Sequence, residues 1–135
     1  MPETVRQTRQ MLALMNPLLD AGEVVFCTTA DAAVARGAQP LALGSFREAE
    51  GVSLILPRAA AEALGFPVVL PMRRIELTVH STLDGVGLTA AIASALAAQG
   101  IPCNVVAAFH HDHLFVPSGM AEQALAVLTA LQASA

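Results

Sequence analysis

Between Ser81 and Gly87 the chain reads Ser-Thr-Leu-Asp-Gly-Val-Gly, directly ahead of an alanine-rich stretch that begins at Leu88. Aspartate is a helix-capping residue type. Glycines at Gly85 and Gly87 let the backbone approach a bound group closely and present amides at the positive end of the helix that follows. Such a turn suits a carboxylate. No Lys or Arg follows Arg74, so a carboxylate bound in this half must be held by backbone amides or by an arginine from the first half, such as Arg47, Arg58, Arg73 or Arg74. Asp84 or Asn104, with strand carbonyls near Val105, would receive an ammonium group. The same residues also make sense without a ligand, with Asp84 as a cap and the glycines as turn formers.

A second cluster with chemical capacity is His110, His111, Asp112 and His113. In a hairpin, residues two apart share a face, so His111 and His113 could reach one ion with His80 or Asp112 as a third ligand. There is no cysteine nearby and no helical His pair. A polar hairpin turn accounts for the cluster without a metal, and no metal site or cofactor is expected. Catalytic signatures are missing: there is no Gly-x-Ser-x-Gly elbow and no phosphate loop, and neither Cys27 nor Cys103 has a positioned base. Ser81 and His80 are neighbours on a strand and point to opposite faces.

The elements that must position these groups follow from periodicity. Ile75, Leu77 and Val79 alternate with Glu76, Thr78 and His80, which predicts a strand running into the loop. Leu88, Ala91, Ile92, Ala95 and Leu96 then form one buried helical face, stopped by Gly100. Ile101 to Phe109 is apolar and β-branched and is expected to be a strand buried on both faces, with His113 to Val116 as its hairpin partner. Ser118 is expected to cap a last helix carrying Met120, Ala124, Val127, Leu128 and Leu131. Upstream, a short helix is predicted from Met11 to near Asn16, a further helical turn from Pro17, and a turn at Asp20 to Gly22. Strands follow at Glu23 to Thr29, Leu41 to Arg47 and Val52 to Pro57, with a loop of at most one helical turn at Ala30 to Pro40 and a helix at Arg58 to Leu64.

Composition narrows the function classes. A chain of 135 residues suits one compact domain, or two very small ones sharing a core. All seven basic residues are arginines, and the net charge is −4. A surface whose last cation is Arg74 repels a phosphate backbone, and without Tyr or Trp it lacks stacking platforms, so nucleic acid is excluded as a partner. Gly85 to His111 carries no formal charge, yet Gly100, Pro102 and Asn104 divide it into pieces too short to span a bilayer. No signal peptide opens the chain, and both cysteines sit in apolar runs, so a cytoplasmic location with free thiols is expected. Hydrophobic residues make up 55% and charged residues 13%, which leaves apolar surface for a subunit interface and predicts a homo-oligomer.

The chain also echoes itself. Leu54-Ile-Leu-Pro57 followed by Ala61-Glu-Ala-Leu64 resembles Leu114-Phe-Val-Pro117 followed by Ala121-Glu-Gln-Ala-Leu125. A tandem of one β-α-β-β-α plan is expected, with its first copy degenerate.

Taken together, Leu83-Asp84-Gly85-Val86-Gly87-Leu88, the helix behind it, and Gly100-Ile-Pro-Cys-Asn104-Val resemble the ACT domain, whose first turn reads roughly Asp-x-x-Gly-Leu and whose second strand begins Gly-Ile-x-x-Asn-Ile. From about Leu18 onward the chain is similar to small standalone bacterial proteins made of two fused ACT units. The resemblance implies an α+β, ferredoxin-like sandwich of two βαββα-like units: a flexible start at 1–10, a degenerate unit at 11–70 and an ACT domain at 71–135. It also implies side-by-side pairing of units and a non-catalytic regulatory protein whose partner is a small effector, an amino acid first. The implied ligand-binding residues are His80, Ser81, Leu83, Asp84, Gly85, Val86, Gly87, Asn104 and Val105. An interaction module that binds nothing small is the alternative from a different class, and a His-based metal protein is a weaker one.

Overall fold

The computed structural model describes residues 7–80 and 83–135. They fall into two compact units, one formed by Gly22–Met72 and the other by the residues up to Ala21 together with Arg73–Ala135. In chain order the elements are α1 (Thr8–Ala13), β1 (Pro17–Thr29), α2 (Ala32–Ala38), β2 (Gly44–Glu48), β3 (Gly51–Pro57), α3 (Arg58–Ala63), β4 (Met72–Leu77), α4 (Leu88–Ala98), β5 (Asn104–Ala107), β6 (Asp112–Pro117) and α5 (Ala121–Ala133). The architecture is α+β and ferredoxin-like.

In the unit that holds the loop, the strand order is β1-β4-β6-β5. Counting β4, β5 and β6 as its first three strands, the fourth place is taken by the start of β1, which comes from the other side of the intervening unit in sequence. Alternation aims Ile75, Leu77, Leu114 and Val116 at the helices, where they meet Ile92 and Leu96 of α4 and Ala124 and Leu128 of α5. Met11 and Met15 close the same core from the N-terminal side. The joint between α1 and β1 is fixed by one α5 side chain. Gln132 accepts from the Asn16 amide at 3.0 Å and donates to the Ala13 carbonyl at 3.0 Å and to Asn16 Oδ1 at 2.7 Å.

That joint corrects the expected helical turn at Pro17. Asn16 adopts a left-handed φ of 41°, a conformation asparagine tolerates, and the reversal sends Pro17 into the first residue of a strand, where its missing N–H is harmless. The expected turn at Asp20 to Gly22 is part of the same strand. Asp20 is held there by Arg74, 2.6 Å away, and by Arg73 Nε, which donates to its carbonyl at 2.9 Å.

The other unit orders its strands β2-β3-β1. Val25, Cys27, Leu54 and Leu56 share one face and pack on Ala38 and Ala61. The expected loop at 30–40 contains a helix, α2. Asp31 accepts hydrogen bonds from the Ala33 and Val34 amides, and the alanine-rich run behind it has high helical propensity.

The internal echo is matched in the backbone. Ser45 lies opposite Leu54 and Val105 opposite Leu114, so the two hairpins have the same register. Each ends on a proline in nearly one conformation, φ −53° and ψ 139° at Pro57, φ −54° and ψ 137° at Pro117. A fully buried alanine follows in each, Ala61 and Ala121.

Two further expectations are corrected. β5 is an edge strand, with Asn104, Val106 and Ala107 exposed, and is not buried on both faces. Ser118 opens a short 3₁₀ turn before α5, and no side chain caps that helix among the described residues.

Candidate functional site

The loop after β4 and the hairpin turn between β5 and β6 meet at one end of their unit, around a cavity of about 110 Å³. Leu83, Gly85, Gly87, Leu88 and Thr89 line one side, Ala107, Ala108 and Asp112 the other, with Met11 contributing from α1. A larger concavity of about 910 Å³ lies in the other unit, against α2 and β2. The smaller one matches the chemistry of the loop, because it joins a helix start to a buried carboxylate.

α4 begins at Leu88 because Gly87, at φ 101°, turns the chain into it. Gly87 therefore occupies the cap position, and Asp84, exposed three residues earlier, is not the N-cap. With no side chain capping α4 among the described residues, its first amides face the cavity end. Their partial positive charge attracts an anion. Thr8 closes the loop from behind by donating to the Val86 carbonyl. A Cβ on residue 87 would come within 2.6 Å of Thr8 Oγ1, so Gly87 is needed for packing as well as for its φ.

Asp112 supplies the opposite charge. It opens β6 on the helix-facing side, in register with Ala107, and is 8% exposed. Sequence reasoning had weighed Asp112 only as a metal ligand; the signal that could have found its place is its alternation with Leu114 and Val116, which puts it on the core side.

The expected site residues separate into three groups. Leu83, Gly85 and Gly87 line the cavity; Val86 is 80% exposed and contributes the carbonyl bonded to Thr8. Asp84 is exposed beside them, and Ser81 lies outside the described residues. Asn104 and Val105 sit at the far end of β5, Asn104 three residues from Ala107, or roughly 10 Å along a strand. Val105 packs against the core. His80 faces away into the histidine group, its ring edge-on to His111 at 4.6 Å and 5.6 Å from that of His110.

Among the described residues, no group of three or more His, Cys, Asp or Glu side chains is arranged to hold a metal ion. His111 and His113 meet different partners: His111 packs edge-on against His80, whereas His113 stands beside Glu76. At 3.8 Å the His113–Glu76 contact is too long for a hydrogen bond. Burial first, and the neighbouring Arg74 second, hold the His113 pKa below its usual value despite Glu76. Burial also pushes the Cys103 thiol up to about 11 and raises that of Cys27. Neither is a thiolate nucleophile at neutral pH. Among the described residues, no helix is long and apolar enough to cross a membrane.

Comparison with known proteins agrees with this fold. Two ACT-domain family models match in tandem, over residues 4–73 and 70–130. A solved protein of unknown function from Vibrio cholerae, described as a possible transport protein, is 41% identical, with a TM-score of 0.81 over 92% of this chain and 94% of its own. The regulatory subunit of aspartate kinase from Thermus thermophilus is 10% identical and shares the fold, with a TM-score of 0.66 over 88% of this chain and 97% of its own. A protein from Agrobacterium tumefaciens, 20% identical, has a TM-score of 0.62 over 82% and 84% of the two chains. Among curated proteins, none matches the sequence. A helix started by a glycine turn, a hairpin repeated in register and two tandem family matches lead to one conclusion: the chain belongs to the ACT-domain family, as two units in tandem.

Proposed function

We propose that the protein is a non-catalytic regulatory module whose effector is a free amino acid, bound in the cavity between the 83–89 segment and the β5–β6 turn. One observation carries the reading. The start of α4, which no side chain caps among the described residues, and the carboxylate of Asp112 line the same small cavity, the charge pattern complementary to an α-carboxylate and an α-ammonium group. About 110 Å³ is well below the roughly 300–1,000 Å³ of sites for drug-sized ligands, which favours a small amino acid. Membership of the ACT family supports a regulatory role, and the relationship to aspartate kinase regulatory subunits is in keeping with it.

A calorimetric and thermal-shift screen of the proteinogenic amino acids tests this. An effector present at 100 times its dissociation constant adds about 2.7 kcal/mol of stability. Asp112→Asn keeps the shape and removes the charge, and is expected to weaken that effector roughly tenfold or more. No shift with any amino acid, or full affinity in the variant, would defeat the proposal.

The second reading is an interaction module, favoured by the apolar residues on the two edge strands. Phe46 on β2 is 74% exposed and Val106 on β5 is 41% exposed, with Phe109 just beyond β5 at 75%. We place self-association on these edges in either reading. Light scattering on Phe46→Ser and Val106→Lys variants reads it directly: a mass unchanged by both would remove the edges as the contact.

A further inference from the structure

The cleft of about 910 Å³ against α2 and β2 has a different chemistry from the loop cavity. It forms because β2 is an edge strand that reaches beyond the cover of α2, leaving a groove on the helix-facing side of the sheet. The β2–β3 register puts Ser45 opposite Leu54 and Arg47 opposite Val52, so both side chains rise on that same face. Arg36 from α2 and Gln39 from the residue that ends it come round to meet them, one turn apart. Gln39 Nε2 donates to Ser45 Oγ at 2.9 Å and ties the two walls together.

The arginines here differ from those around them. Arg58 pairs with Glu23 at 2.8 Å, Arg74 with Asp20 at 2.6 Å, and Arg73 with Glu122 at 3.5 Å. Arg36 and Arg47 make no ion pair or hydrogen bond among the described residues, and no carboxylate lines the cleft. The nearest acid on the strand, Glu48, alternates to the other face and is occupied by the Ser53 hydroxyl. In a chain with net charge −4, two guanidinium groups that no described carboxylate neutralises therefore face one cleft from its two walls.

We infer that this cleft is a second ligand site, separate from the loop cavity, for a small oxyanion such as a carboxylate or a phosphate. Arg36 and Arg47 hold the anion by charge-assisted hydrogen bonds, and the Gln39–Ser45 pair fixes the walls so that little ordering accompanies binding. The two sources of an oxyanion are separated by experiment. Full-length protein is titrated with inorganic phosphate and, separately, with succinate, with chloride at equal ionic strength and neutral succinamide as controls, and followed through the arginine Nε–H resonances.

The expected result is a saturable shift with one or both oxyanions and none with succinamide. Arg36→Gln and Arg47→Gln should each weaken it roughly tenfold or more, the loss of one charge-assisted contact. Both side chains are exposed and have no partner among the described residues, so melting temperatures are expected to stay within a degree or so of wild type. Arg47→Lys should retain part of the affinity by keeping the charge. Absence of saturation with both anions, or binding that survives the double Gln variant, would overturn the site. Asp112→Asn reports on the loop cavity alone, so it leaves oxyanion binding unchanged and keeps the two proposals apart.

Discussion

Replacing Gly87 by alanine perturbs two things at once, and the structure allows them to be weighed separately. At φ 101° an L-residue with a Cβ is strained, by about 1–2 kcal/mol for the left-handed region. The added methyl also arrives 2.6 Å from Thr8 Oγ1 and must push that hydroxyl off the Val86 carbonyl, forfeiting about 1 kcal/mol of hydrogen bonding. The sum, about 2–3 kcal/mol, lowers the melting temperature of a chain this size by roughly 6–12 °C. The assay is a double-mutant cycle by chemical denaturation. In a Thr8→Ala background the steric part has already been removed, so Gly87→Ala should cost only the conformational part, about 1–2 kcal/mol. Equal costs in both backgrounds would refute the Thr8 contact, and a cost near zero in both would refute the left-handed turn itself. The contact with Thr8 makes Gly87 a structural residue, so Asp112 is the better probe of ligand binding.

Other perturbations test the rest of the description. His113 has a folded pKa below its ordinary 6.5, so it contributes stability that is fully present above that pH and lost as pH falls from 6.5 toward the folded value. In His113→Gln this component of the acid-side loss should vanish, which urea titrations at a series of pH values would read; an unchanged pH dependence would exclude the burial assigned to His113. Leu54→Ala opens a hole in a core position 1% exposed and should cost about 2–5 kcal/mol, whereas Phe46→Ala, 74% exposed on the same sheet, should cost less than about 0.5 kcal/mol in the monomer. With its thiol pushed up to about 11, Cys103 should be alkylated far more slowly than a free cysteine at pH 8, by about 100-fold in thiolate population; mass-spectrometric alkylation kinetics that match a free thiol would contradict its burial.

The parts of this structure that were legible in the sequence are those written as alternation or helical period. Ile75 and Leu77 alternating into the loop, Leu88, Ile92 and Leu96 along α4, and the Pro-terminated strands β3 and β6 appear where the pattern puts them, whereas β2, expected from Leu41, begins at Gly44 after a 3₁₀ turn over Gln39–Leu41. Neighbour relations in the sheet were not legible. The run from Ile101 to Phe109 is apolar enough for a central strand, but periodicity reports faces and not the number of flanking strands, and β5 lies at an edge. Pro17-Leu-Leu read as helical because Met11, Met15, Leu18 and Leu19 keep helical spacing; only the reversal at Asn16, held by a glutamine more than a hundred residues away, separates helix from strand. Of the site, the glycine turn was readable, but the pairing of that turn with Asp112 depends on a hairpin register that no local pattern contains.

The contribution of β1 to the fourth strand position of a unit otherwise built from residues 73–135 has a bearing on synthesis. Residues 7–21 are made before the unit at 22–72, yet the β4 strand beside which they lie, and the α5 glutamine that clasps Asn16, are made only after the whole of that unit. During translation the unit at 22–72 can gather its own core while Met11, Met15 and Leu19 wait with theirs unmade. The order of birth is thus inverted relative to the order of completion: residues made ahead of the 22–72 unit belong to the unit that closes after it. Until β4, α4 and α5 have emerged, the nascent chain carries an apolar strand and helix whose docking surface is incomplete, which makes that interval the point at which a chaperone or a second nascent copy would find it.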